Sequence, residues 1–185
     1  MLKIIKTSDY KKDLTNICKF YNSNLKIESI IARNELFLEN IIVKKDNFWK
    51  PIFDKNKCYC ISHKENLVFV WSSDFPIWID IEYFKQRNIE ILNYHNDFEY
   101  NLIWEKNLEN FYIFWTIKES IIKLFNTTLD DLENIKIKEI TKSKNKIDEI
   151  YFNLKAISKF NNKKIITYSW IIEKNIIYSY SFFLD

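Results

Sequence analysis

No glycine occurs at any of the 185 positions of this chain. The consequence is geometric. Glycine enters left-handed backbone without steric cost, and among other residues Asn and Asp tolerate it best. Turns and helix ends that need positive φ must draw on those residues. Asn56, Asn66, Asn126, Asn162 and Asn175 are the candidates.

Hydrophobic residues make up 47% of the chain and aromatics 17%, enough for a substantial core. Its length suits one domain, or two small halves packed together. A formal net charge of +3 is too mild to argue for nucleic acid. Cys18, Cys58 and Cys60 are too few for a disulfide framework, and no second Cys/His pair stands at zinc-ligand spacing. The N-terminus lacks a signal-peptide core, and no apolar run reaches membrane-spanning length. The expectation is a soluble cytoplasmic protein, monomeric, with no nucleic-acid or membrane partner.

Leu2 to Ile5 is a short strand, and Ser8 to about Lys45 is mostly helical. Ser8 suits a cap, and Leu14, Ile17, Cys18 and Tyr21 share one face. After Asn22–Asn24, Ile27 to Ile42 suggests one or two further helices. Residues 46–56 form an irregular link. Tyr59–His63 is a strand, Lys64–Asn66 a turn, and Leu67–Trp71 a buried strand. It pairs antiparallel with a strand over 77–82, so His63 stands at one end of a sheet that also carries Asp80. A short helix falls within 83–94, another over 96–106, and a long one over 108–125 that Asn126 can cap. The remainder is strands at 135–140, 147–157, 164–172 and 176–183, with turns at Asn161-Asn162 and Lys174-Asn175 and a charged loop at Ser143–Lys146. The fold class is α+β, in approximate halves 1–82 and 83–185.

Two acidic stretches organise this pattern. In Pro76-Ile77-Trp78-Ile79-Asp80-Ile81-Glu82 the isoleucines point one way, and Trp78, Asp80 and Glu82 the other. In Trp115-Thr116-Ile117-Lys118-Glu119-Ser120-Ile121-Ile122-Lys123, helical spacing puts Glu119 and Lys123 on one exposed edge. Three carboxylates and two lysines can make a divalent-cation and phosphate site, since hard cations take oxygen ligands. Taken singly, such motifs are more often a solvated strand face and surface ion-pair patterning.

Taken together, the segments resemble the 4'-phosphopantetheinyl transferases, specifically the larger single-chain type that activates surfactin synthetase. The resemblance runs from about Arg33 to the C-terminus and is strongest over 50–123. It rests on Trp49-Lys50-Pro51, Ile61-Ser62-His63, Trp78-Ile79-Asp80-Ile81-Glu82 and Trp115-Thr116-Ile117-Lys118-Glu119-Ser120, with Lys123 following. It implies a pseudo-dimer of two α+β halves with a coenzyme A cleft between them. Phosphopantetheine would pass from coenzyme A to a serine of an acyl or peptidyl carrier protein. Asp80, Glu82 and Glu119 would hold magnesium, and Glu119 would help deprotonate the serine. Lys123, with Lys118, would stabilise charge on the leaving nucleotide. His63, Ser62, Lys50 and Arg33 would contact nucleotide phosphates.

Trp78 stands where the family has glycine, Trp49 replaces another, and Lys64, Glu65 and Asn66 replace small residues. An indole beside Asp80 would crowd the coenzyme A pocket or stack on a base. The alternatives to an enzyme are a transferase-like protein that binds a carrier protein or synthase without turnover, and a small α+β interaction module. The module predicts that Asp80, Glu82 and Glu119 do not converge.

Overall fold

The structure is a computed structural model and describes residues 2–10, 26–38, 41–45, 51–52, 58–103, 105–147, 150–172 and 175–184. It is α+β, with two compact units, Met1–Pro76 and Ile77–Asp185. Leu14, Ile17, Cys18, Tyr21, Asn22–Asn24, Trp49, Lys50 and Asn56 lie outside the described residues.

In the first unit, β1 (Leu2–Lys6), β4 (Cys58–Lys64) and β5 (Leu67–Ser73) form an antiparallel sheet in the order β1-β5-β4. The central strand β5 is buried from Leu67 to Ser72, which explains its unbroken apolar run. Helix α1 (Ile27–Leu38) sets Ile31, Ala32 and Leu36 against Tyr59, Val68 and Val70. Ser8 lies in a short 3-10 turn, Thr7–Asp9. Part of the expected irregular link is a two-residue ladder between β2 (Lys44–Lys45) and β3 (Pro51–Ile52). The β4–β5 turn takes its positive φ at Glu65 (51°), not at the expected Asn66.

The second unit begins with β6 (Trp78–Tyr83). A 3-10 turn, Ile89–Tyr94, precedes the short helix α2 (Asp97–Asn101) and the long helix α3 (Leu108–Phe125). Asn107 caps α3 by accepting from the Asn110 N–H at 2.8 Å. Asn126 ends it at φ 58°, and the Asn126 and Thr127 N–H groups donate to Lys123 O and Ile122 O, each at 3.1 Å. This is a Schellman closure with asparagine in glycine's place. Strands β7 (Lys136–Ile147), β8 (Ile150–Phe160), β9 (Lys163–Ile172) and β10 (Ile176–Leu184) form a meander. Its last strand returns beside the first, giving the order β6-β10-β9-β8-β7. Asn161 (47°) and Asn162 (58°) both take positive φ, as a two-residue I′ hairpin turn requires.

Three expectations are corrected. β6 does not pair with β5, because β1 and β4 already occupy both edges of β5; it pairs with β10 instead. His63 and Asp80 therefore lie in different sheets. The units accordingly divide before β6 rather than after residue 82. The charged run Ser143–Lys146 is no loop. It continues β7, with a register shift between Lys142 and Asn145.

Helix α3 covers the sheet with Phe111, Phe114, Ile117 and Ile121, all at most 2% exposed. Each such side chain contributes about 1.5–3 kcal/mol by leaving water. Beneath the helix, hydroxyls replace bulk. Ser179 Oγ lies 2.9 Å from Thr116 Oγ and 2.7 Å from Ser169 Oγ. Ser181 Oγ lies 2.7 Å from Ser120 Oγ and 2.6 Å from Thr167 Oγ. Thr116 and Ser120 bond to carbonyls of their own helix, so these buried groups satisfy one another.

Candidate active site

Alternation along β6 aims Trp78, Asp80 and Glu82 at the face covered by α3, opposite Ser181, Ser179 and Ile177 of β10. The other side carries Ile77, Ile79 and Ile81, each at most 2% exposed. Asp80 is not on a solvated face: it is 2% exposed. Lys123 Nζ donates to Asp80 Oδ1 at 2.5 Å and lies 3.6 Å from Glu119 Oε2. Helical spacing of four residues puts Glu119 and Lys123 on the same side of α3, facing Asp80. Asp80 Oδ2 is buried with no hydrogen-bond partner.

The charges interact strongly. Burial raises the Asp80 pKa; Lys123 opposes this, Glu119 and Glu82 add to it, and the carboxyl is pushed up to about 7. Burial disfavours the Lys123 ammonium, but Asp80 and then Glu119 outweigh it and hold its pKa above the ordinary lysine value. The site thus has more carboxylate than its one lysine neutralises. Among the described residues, no group of three or more His, Cys, Asp or Glu side chains is gathered closely enough to hold a metal alone. The donors nevertheless suit a hard cation. They are carboxylate oxygens, one is buried and unpartnered, and magnesium commonly uses one or two carboxylates plus substrate phosphate.

Glu82 also lines a cavity of about 240 Å³. Ile91, Tyr94, Phe111 and Trp115 supply its apolar lining, and Arg87 and Tyr112 its other polar groups. Arg87 Nε donates to the Tyr112 hydroxyl at 3.3 Å. The sequence reading missed Arg87, Tyr94 and Tyr112; the helical spacing of Phe111, Tyr112 and Trp115 was the available signal. Trp78 is not among the cavity residues and packs against the second unit's core.

The remaining expected residues are placed elsewhere. Lys118 is buried and donates to Glu99 Oε2 at 2.9 Å, not to the Asp80 group. Ser62 (buried) and His63 (exposed) lie on β4, and Arg33 (half-buried) on α1, all in the first unit. Cys60 is buried and Cys58 partly so, both as free thiols.

An α+β unit with a buried strand aspartate facing a helical Glu/Lys pair defines a class of carboxylate-centred sites suited to phosphate chemistry. Residues 76–174 match the 4'-phosphopantetheinyl transferase superfamily, and the chain belongs to that family. It is 34% identical over 90 residues to the 4'-phosphopantetheinyl transferase gsp of Aneurinibacillus migulanus. That match covers 46% of this chain and 38% of the relative. Among the described residues, no helix is long and apolar enough to cross a membrane.

Proposed function

We propose that this protein transfers 4'-phosphopantetheine from coenzyme A to a serine hydroxyl of an acyl or peptidyl carrier protein, with magnesium, as a cytoplasmic monomer. The observation that carries the reading is the buried Asp80 carboxylate. It has one oxygen on Lys123 and one without a partner, within the stretch matched to the family.

In this reaction the serine oxygen forms a bond to the phosphorus that bears pantetheine. The bond from that phosphorus to the bridging oxygen breaks, and adenosine 3',5'-bisphosphate leaves. Asp80, Glu82 and Glu119 would hold magnesium, which supplies neutralisation of the pyrophosphate charge. Glu119 takes the serine proton, directly or through water. Lys123 stabilises charge on the leaving nucleotide; Lys118, held by Glu99, does not share that task. Such transfers depend on alignment and charge stabilisation rather than covalent help. Ser62, His63, Arg33 and Lys50 serve as nucleotide-phosphate contacts on the family resemblance. The aromatic cavity beside Glu82 suits the uncharged pantetheine arm.

The test incubates the protein with an apo carrier protein and coenzyme A, with and without magnesium, and weighs the carrier by mass spectrometry. One added phosphopantetheine group, only with magnesium, is the expected result. The unconverged ligand set favours one other reading, a transferase-like protein that binds its carrier without turnover. Carrier binding with no mass change would establish it.

A further inference from the structure

A second ionic cluster lies in the core of the second unit. Lys118 and Glu99 pair at 2.9 Å with side chains 3% and 1% exposed, and Glu99 Oε1 has no hydrogen-bond partner. His95 Nδ1 is 3.8 Å from the same Glu99 oxygen that Lys118 holds. The His95 ring sits among Tyr100, Phe111 and Phe114, with centroids 6.1, 5.1 and 5.5 Å away. Burial, then the Lys118 charge, push its pKa down to about 3, so it is neutral. Glu133 and Lys136 are the other charges acting on Lys118, and they oppose each other. Glu99 is therefore the anion that balances the buried ammonium.

Stability alone does not call for such a pair. Two charges lose more hydration on burial than their attraction readily returns, and apolar replacements are often as stable. Its position suggests another use. Lys118 directly precedes Glu119 on α3, and its long side chain could serve either the core or the carboxylate group. Held by Glu99, it leaves Asp80, Glu82 and Glu119 facing Lys123 alone. When ionised, that set carries a surplus of two negative charges, which a divalent cation balances.

We propose that Glu99 is a positioning residue for the candidate site: it holds Lys118 in the core and withholds that charge from the carboxylates, tuning them to a divalent cation. The inference rests on the magnesium reading above. Nothing in it requires Glu99 to touch a substrate.

The test uses the full chain and two readouts. In the first, NMR of the ¹⁵N-labelled wild type should show one lysine ammonium protected from solvent exchange. It should vanish in Lys118→Met and in Glu99→Gln. The second is Mn²⁺ affinity, read by electron paramagnetic resonance. Glu99→Gln should weaken it about tenfold, as loss of an outer supporting partner does. Adding Lys118→Met to Glu99→Gln should restore most of the affinity, because the freed charge is gone. That neutral double variant also keeps the test open if Glu99→Gln alone folds poorly: it should bind Mn²⁺ nearly as the wild type does. A Glu99→Gln protein with a lowered melting temperature but unchanged Mn²⁺ affinity would overturn the proposal, as would a wild type with no protected ammonium. A wild type that binds no Mn²⁺ would overturn the magnesium reading itself, and this inference with it.

Discussion

The two units share a plan and differ in how they treat one ion pair. In each, the first strand pairs with the last, β1 with β5 and β6 with β10, and a helix packs on the sheet. In each, a helix charge reaches the first strand: Glu35 of α1 to Lys3 of β1, and Lys123 of α3 to Asp80 of β6. The signs are exchanged. The pair in the first unit is closed: Lys3 takes Glu35 Oε2 at 2.7 Å, and the Tyr10 hydroxyl donates to Oε1 at 3.1 Å. Asn34 in turn donates to Tyr10 at 2.6 Å. The pair in the second unit is open, with Asp80 Oδ2 unpartnered and Glu82 and Glu119 adding negative charge. A closed pair fixes structure. An open one keeps binding capacity for a ligand.

The sharpest way to break this contrast is at Glu119. Glu119→Gln should lower carrier modification by about 10³-fold, the scale of losing one well-placed electrostatic group. Its melting temperature should stay near the wild-type value, because Glu119 is partly exposed. Undiminished turnover would remove Glu119 from the chemistry.

The two histidines offer the next contrast, since His63 is exposed on β4 and His95 is buried in the second unit. The folded-state pKa of His95, about 3, lies below its ordinary 6.5. Between those values the unfolded chain takes up a proton that the folded chain refuses. Stability from this group is therefore whole above about pH 6.5 and falls as pH drops toward 3. The slope reaches about 1.4 kcal/mol per pH unit. Denaturant midpoints of His95→Leu should fall less steeply with acid than those of the wild type. His63→Leu should leave the slope unchanged.

A smaller effect compares the ion pairs directly. Glu35→Gln leaves Lys3 facing a neutral partner and should cost about 1–3 kcal/mol in urea unfolding. Asp80→Asn removes a buried carboxylate that is only half satisfied, and should change stability by about 1 kcal/mol or less while abolishing Mn²⁺ binding. Equal losses from the two changes would mean that both pairs are structural.

Local pattern was legible in the sequence where one element decided it. Alternation gave the two faces of β6, and helical spacing with Asn126 gave the limits of α3. Partners distant in the chain were not. Periodicity says which way Asp80 points but not that its strand pairs with Ser179, nor that Glu99 takes Lys118. The Thr116, Ser120, Ser179 and Ser181 hydroxyls read as polar surface, and only pairing across the helix–sheet contact explains their burial. The charged run at 143–146 read as a loop because charges seldom suit a strand, yet β7 is an edge strand, where they are common. Of the expected site, Asp80, Glu119 and Lys123 come together around one ammonium group.

The absence of glycine yields the finest comparison of the two units. The β4–β5 turn takes positive φ at Glu65 (51°), and α3 closes with positive φ at Asn126 (58°). Left-handed backbone costs an ordinary side chain roughly 1–2 kcal/mol, while Asn offsets part of that cost through local hydrogen bonding. Glycine removes the strain but adds freedom to the unfolded chain, a loss of about 0.5–1 kcal/mol. Glu65→Gly should therefore stabilise the protein by up to about 1 kcal/mol, and Asn126→Gly by only a few tenths. Thermal melts of the two variants measure the difference. If both gained equally, Asn would have no advantage over Glu in this conformation, and the placement of asparagine at the helix end would need another cause.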